Sequence, residues 1–382
     1  MKKVLIVGLK NYQNLGDRLL VDTTEYICKS LGYDTVSVDF RADKKEHPIR
    51  YLTYGVVAKL SRLFGSTRLA DKLKIFAWGI RNGKHIRKHL KNVGAVIIAC
   101  GNLMYSSHVI NCVYETVIKE TSKKKIPVML SAMSVEKANE NSYKFNRLKK
   151  YLSRENVKFF TTRDGKVGLE KFKPYDAKGI DCDFVADAAY WISESLNKTK
   201  SATGVVGVNV ISGYITPKYS EGISQEVLRK YYIDLFKLLD ERNVNYQVFT
   251  TGMVEDEAYV DSLLEGLEIK GKRVPQAQTV SELFDIISGC SMVYGGRMHS
   301  CIISHILEIP VSGFIWDDKL RNYSKISGQE KCFLTKESLD AKTAYNLLNS
   351  QIPLSVDYEI MGKLKQKTKD CIEKFLNDNF QA

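Results

Sequence analysis

Residues 291–306 read SMVYGGRMHSCIISHI. A strand-like apolar run ends in two glycines. An arginine and a histidine follow, and apolar residues then continue at helical spacing. Strand, tight turn and helix are the repeating unit of a parallel sheet covered by helices. The unit recurs on both sides of this stretch. Upstream lie VVGVNVI (205–211), a helix around 222–241 carrying Val227, Tyr231, Ile233, Leu235 and Leu239, and NYQVFTTG (245–252). A helix from Val254, a strand near 272–274 and a helix at 279–289 come next, and PVSGFIW (310–316) lies downstream. The first half alternates in the same way. VLIVGL (4–9), Thr35 to Phe40, AVIIACG (95–101), IPVMLSAM (126–133) and VKFFTTRD (157–164) read as strands, mostly buried on both faces. Leu19, Leu20, Thr23, Ile27 and Leu31 mark one face of the first helix, which Gly32 stops. The expected fold class is therefore α/β: two Rossmann-like domains facing a cleft, with parallel sheets and helices on both faces.

The chain has 382 residues, 44% hydrophobic and 26% charged, which fits a globular protein of more than one domain. The polar stretch ISESLNKTKSAT (192–203) suggests a boundary. Expected domains are 1–198 and 199–355, with a C-terminal helix, 356–382, packing back on the first domain. Its apolar face would hold Ile360, Leu364, Cys371, Phe375 and Leu376. Lys10 ends the opening apolar run MKKVLIVGLK, so that run reads as a buried strand rather than a signal peptide. No apolar run has the roughly 18 to 20 residues of a spanning helix. The eight cysteines contain no CxxC pair and read as small buried hydrophobes in a reducing cytoplasm.

Formal net charge is +13, and its distribution is uneven. From Val56 to Asn92 ten basic residues face one acid, Asp71, and Leu60, Leu63, Phe64, Phe76 and Trp78 are interleaved with them. Such a segment suits the surface of an anionic membrane. It equally suits helices with a solvated basic face. Nucleic acid is not an expected partner, because no nucleic-acid-binding motif accompanies the charge.

In open α/β sheets ligands bind outside the carboxyl ends of the strands, so four turns there are weighed. Asn14-Leu15-Gly16-Asp17 follows the first strand; Asn or Asp can cap the helix, and Gly lets backbone approach a ligand. Neither a dinucleotide fingerprint nor a P-loop is present there. Ala99-Cys100-Gly101-Asn102 is a small-residue turn suited to a sugar or phosphate, or simply a tight turn. Thr162-Arg163-Asp164 places an arginine at a strand exit, where it either grips an anion bidentately or pairs with an internal acid. The sharpest is Gly295-Gly296-Arg297-Met298-His299, where a helix N-terminus, a guanidinium and an imidazole converge. His305, six residues on, faces elsewhere and reads as structural. His299 and His305 lack metal-pair spacing, and no metal site is expected.

These pieces, NLGD (14–17), the turn at 99–102, TRD (162–164) and GGRMHSCIISHILEIPVSGFIWDDKL (295–320), resemble the polysaccharide pyruvyl transferase family in their order along the chain. Ala99-Cys100-Gly101 departs from the family's frequent glycine run. The resemblance implies a GT-B-like architecture and transfer of pyruvate from phosphoenolpyruvate to a sugar of a surface polysaccharide repeat unit, expected to be lipid-linked. A pyruvate ketal forms and phosphate leaves; no cofactor is needed. By position His299 and Asp17 would be catalytic. Arg297, Arg163, Asn14, Gly16, Gly295, Gly296 and Asn102 would bind substrate. His299, with an ordinary pKa near 6.5 that a bound anion would raise, suits proton donation to C3 of the donor. The protein is expected in the cytoplasm, with the basic segment holding it to the inner membrane face. A glycosyltransferase using a nucleotide sugar, and a non-catalytic glycan-binding protein, are the competing readings.

Overall fold

The computed structural model describes residues 2–11, 13–42, 56, 59, 68–201, 204–213, 223–353 and 358–380. The chain divides into two compact units. One comprises Met1–Asn11, Leu20–Ala188 and Gln366–Ala382; the other comprises Tyr12–Leu19 and Ala189–Lys365.

The first unit is built on a parallel sheet of β1 (Lys3–Gly8), β2 (Thr35–Asp39), β3 (Val93–Ala99), β4 (Asn102–Leu103), β5 (Val128–Val135), β6 (Val157–Thr162) and β7 (Asp181–Phe184). The order is β2-β1-β3-β5-β6-β7, with β4 beside β5. Leu5 lies opposite both Val36 and Val96, so β1 is central and buried on both faces. That position explains its unbroken apolar run. The order reverses between β1 and β3, which puts the switch point at Gly8 and Ala99. Gly8 has no room for a side chain: an added Cβ would lie 2.6 Å from the Ala99 carbonyl oxygen.

Helices cover the sheet. α1 (Leu15–Ser30) starts among residues of the second unit and continues in the first. α2 (Arg68–His89) buries Ile75, Trp78 and Ile86, while α3 (His108–Ser122) buries Cys112, Tyr114 and Val117. α4 (Tyr143–Leu152) and α5 (Gly165–Phe172) follow. Within the basic stretch 56–92, residues 57, 58 and 60–67 lie outside the described residues. The C-terminal helix Glu359–Asn379 packs on this unit through Ile372, Phe375 and Leu376. Thr368 donates to the Ala186 carbonyl at 3.0 Å, and Lys367 pairs with Asp183 at 2.6 Å. Ile360 is not part of the buried face; it is exposed, and Met361 is buried beside it. Cys182 likewise departs from the all-buried expectation: β7 is the edge strand, and the thiol is exposed there.

The second unit carries β8 (Val205–Asn209), β9 (Tyr246–Phe249), β10 (Lys272–Arg273), β11 (Cys290–Gly295), β12 (Val311–Phe314) and β13 (Phe333–Leu334). All pair in parallel in the order β10-β9-β8-β11-β12-β13. In chain order this is 3-2-1-4-5-6, the Rossmann arrangement, with its switch point between β8 and β11. Amphipathic helices Gln225–Glu241, Val254–Leu264 and Val280–Ser288 bury Leu228, Leu235, Val260, Leu283 and Phe284 against the sheet. The short helix Met298–Ile306 is apolar on most sides and buried almost throughout.

Candidate active site

β8 and β11 end side by side. The last residue of β8, Asn209, is fully buried, and its side-chain oxygen accepts from the Arg297 backbone N–H (2.9 Å) and the Ser300 hydroxyl (2.9 Å). One amide thus fixes the start of helix Met298–Ile306 at the switch point. The two glycines before it answer to packing. A Cβ on Gly295 would lie 2.5 Å from the Cys301 sulfur, and one on Gly296 would lie 2.6 Å from the Asn209 carbonyl oxygen. The Gly296 carbonyl accepts from Trp316 Nε1 at 2.8 Å.

Arg297, expected to bind substrate, has part of its donor set committed within the unit. Its Nε and Nη2 each lie 2.8 Å from oxygens of Asp256. The Arg297 side chain is 13% exposed and Asp256 is fully buried. Asp256 also accepts from Ser212 N–H at 2.8 Å. A buried carboxylate needs a partner of this kind; the fork uses Nε–H and one Nη2–H, which leaves both N–H of Nη1 and the second of Nη2 to donate elsewhere. The guanidinium carbon lies 6.0 Å from the centre of the Trp316 ring, which bounds its other side.

His299 lies in the first turn of the helix and is buried. The NLGD turn packs directly on it: a Cβ on Gly16 would fall 2.1 Å from His299 Nδ1. Glycine at 16 therefore serves contact between the first-helix backbone and the imidazole. The turn holds itself and is bound to the second sheet. Asn14 Oδ1 accepts from Gly16 N–H (3.2 Å), Asn14 Nδ2 donates to Asp17 (3.0 Å), and Leu15 N–H donates to the Thr251 carbonyl just beyond β9 (3.0 Å). Arg18 donates to the Gln278 carbonyl at 2.8 Å. Asn14, Gly16, Asp17, Gly295, Gly296, Arg297 and His299 thus belong to one unit and cluster around the carboxyl ends of β8, β9 and β11.

Arg163 and Asn102 belong to the first unit. Arg163 corrects the anion-gripping alternative: its Nη1 is engaged by Asp187, its Nε donates to Ser134 at 3.0 Å, and its side chain is 6% exposed. An internal acid, not a ligand, occupies it. Asp164 accepts from Ser134 Oγ (2.9 Å) and Val135 N–H (3.0 Å). Burial pushes its carboxyl above the usual range, opposed by the Val135 N–H, the Arg163 charge and Ser134. The Thr162-Arg163-Asp164 turn is therefore a brace for the end of β5. Gly101 lies under Arg163 with φ +69°, a left-handed conformation that favours glycine. Asn102 next to it starts β4, and its side-chain oxygen is buried with no hydrogen bond among the described residues.

His305 is buried in the second unit between the Tyr190 and Tyr358 rings, with Nδ1 3.3 Å from the Tyr190 hydroxyl. Burial pushes its pKa down to about 4. Among the described residues no three His, Cys, Asp or Glu side chains are grouped to hold a metal ion. The site residues not foreseen from sequence are Asp256, Asn209 and Trp316. Asn209 carries a weak signal, as the polar end of an otherwise apolar strand. Asp256 carries none, because it stands in the acidic run Glu255-Asp256-Glu257, which reads as a solvated helix start.

Two doubly wound sheets with a polar cluster at a switch point define a GT-B enzyme fold. UDP-GlcNAc 2-epimerase from Methanocaldococcus jannaschii is similar at a TM-score of 0.57 and 11% identity, over 98% of this chain and 99% of that chain. UDP-N-acetylglucosamine 2-epimerase from Rickettsia bellii is similar at 0.54 and 11% identity, over 99% and 96%. At such identities the likeness carries the fold alone. No curated protein matches in sequence. The polysaccharide pyruvyl transferase family model matches residues 14–318, and the chain belongs to that family.

Proposed function

We propose that this polysaccharide pyruvyl transferase takes its pyruvate from phosphoenolpyruvate and places it as a ketal on a sugar of a lipid-linked repeat unit. The observation that carries this is the placement of Arg297 and His299 at the start of one helix at the switch point of the second sheet, with Gly16 backbone closing on the imidazole. The donor carries a carboxylate and a phosphate. Arg297 Nη1 and the helix N-terminus at Met298 suit one of these anions.

The chemistry is an addition followed by a substitution. A sugar hydroxyl oxygen bonds to C2 of the enol as His299 delivers a proton to C3, which becomes the methyl group. The hydroxyl proton passes to a base, for which Asp17 is the candidate. A second hydroxyl then bonds to C2 and gives its proton to the now neutral His299 imidazole, while the C2–O bond to phosphate breaks and phosphate leaves with the bonding pair. Asp256 holds the Arg297 plane fixed, so its remaining N–H groups need no reorientation as charge develops. Neither metal nor organic cofactor enters this scheme. We assign the reaction to the cytoplasm, where phosphoenolpyruvate is available. No helix among the described residues is long and apolar enough to cross a membrane.

The test is incubation with phosphoenolpyruvate and sugar acceptors, following phosphate release together with a pyruvyl mass gain. Phosphoenolpyruvate is expected to raise the melting temperature of the wild type. A rise with a nucleoside diphosphate and none with phosphoenolpyruvate would transfer the assignment to a nucleotide-sugar glycosyltransferase.

A further inference from the structure

We infer that one flank of the first unit is a docking surface for an anionic phospholipid bilayer, built from α2 and from the distant end of α3. α2 spans 22 residues, Arg68–His89. Its inner side buries Ile75, Trp78, Asn82 and Ile86. Its outer side presents Leu69, Lys72, Phe76, Lys84, Arg87 and Lys88, all exposed. Leu69, Lys72, Phe76, Lys84 and Arg87, in steps of three, four, eight and three residues, share one stripe along the helix, with Lys88 at its border. Phe76 is 63% exposed and Leu69 is 49% exposed, a high value for large apolar side chains in a stripe otherwise made of cations.

The tertiary structure extends this patch in a way the sequence does not reveal. α3 packs beside α2, and Arg87 reaches Glu120 across the pair at 3.3 Å. The turn after α3 is the lysine run Lys123-Lys124-Lys125, exposed throughout. Lys124 donates to the Leu90 carbonyl at 3.2 Å, which places this run against the end of α2. Exposed Lys91 and Lys119 border the same corner. Glu120, buried beneath Arg87 and Lys123, offsets one of these charges and leaves the corner net positive.

A cationic corner with an aromatic and a leucine on the adjoining helix is the chemistry of an interface that attracts lipid phosphates and inserts apolar side chains. Nucleic acid would use the same cations but would gain nothing from Leu69 on a convex helix. α2 ends where β3 begins, so its C-terminal corner lies at the amino edge of the sheet.

The test is sedimentation of the full chain with phosphatidylcholine vesicles, with and without phosphatidylglycerol, at low and high salt. No donor or acceptor is present, so the outcome is independent of the activity assignment. Binding only to the phosphatidylglycerol vesicles, weakened by salt, is expected. The triple variant K123E/K124E/K125E should lose about 100-fold or more in partitioning, given the known attraction per basic residue. Phe76→Ser should lose about tenfold, from the lost apolar insertion. Phe76→Ser should keep the wild-type melting temperature, since its side chain is exposed; the triple variant also loses the Lys123–Glu120 pair and the Lys124–Leu90 contact, so its partitioning is compared at a temperature where its folded fraction matches the wild type. Equal binding to neutral and anionic vesicles, unchanged partitioning of both variants, or tighter binding of duplex DNA than of anionic vesicles would each overturn the inference.

Discussion

Each of the two sheets sends an arginine out of a buried strand, and the two arginines end differently. Arg163, beyond β6, is closed in by Asp187 and Ser134 within the first unit. Arg297, beyond β11, gives one face to Asp256 and keeps Nη1 at the carboxyl edge of the second unit, next to His299. Both are arginine–carboxylate pairs, so pairing alone does not separate a brace from a binding group. What separates them is the surrounding structure. Arg163 lies over the Gly101 turn with its remaining contacts internal, whereas Arg297 caps a helix whose first turn carries an imidazole.

The strongest way to break this contrast is His299→Asn. Removing a general acid should lower the rate of phosphate release about 10² to 10⁴-fold with little change in melting temperature, because the helix start is held by Asn209. A stability loss with unchanged turnover would make His299 structural, like Arg163.

Next come the arginines themselves. Arg163→Met removes the guanidinium that pairs with buried Asp187 and should cost about 3 to 5 kcal/mol, read from denaturant midpoints. Arg163→Met with Asp187→Leu should recover most of that stability and the activity with it. Arg297→Met with Asp256→Leu should recover stability in the same way but not donor affinity, so the Michaelis constant for phosphoenolpyruvate stays raised. Equal behaviour of the two double variants would erase the distinction drawn between the units.

A smaller effect is expected at Gly16. Gly16→Ala drives a methyl group into the His299 ring and should cost about 1 to 3 kcal/mol, together with a fall in turnover as the ring is displaced. The smallest concerns His305, buried in the second unit. Its pKa of about 4 lies below the ordinary value, so the unfolded chain binds its proton more readily. Its contribution to stability is full above its unfolded pKa, about 6.5, and is lost as pH falls through the folded value. His305→Leu should flatten the acid-side decline in urea midpoint. An unchanged slope would show that other groups carry that decline.

Much of the fold was legible because parallel strands buried on both faces must be apolar along their length. AVIIACG and VLIVGL carry that pattern without interruption. The glycines at 295 and 296 were legible as a turn, but not as the close contacts with Cys301 and Asn209 that require them. The acids that claim the arginines were not legible. Asp187 stands 24 residues from Arg163, and Asp256 stands 41 from Arg297. Nothing in local spacing links a residue to a partner brought to it by the sheet. Exposure also escaped local patterning: Ile360 fits the helical face by period yet lies outside the contact.

The segment Tyr12–Leu19 is grouped with a body whose remaining residues begin only at Ala189. A gene split at that point would not yield two self-sufficient products. The C-terminal product would lack the glycine that lies on its own histidine, and the N-terminal product would bear Leu15, a buried residue stripped of its cover. Such halves should regain function only when mixed, and a circular permutant opened between these bodies should fold only if the short leading segment stays tethered.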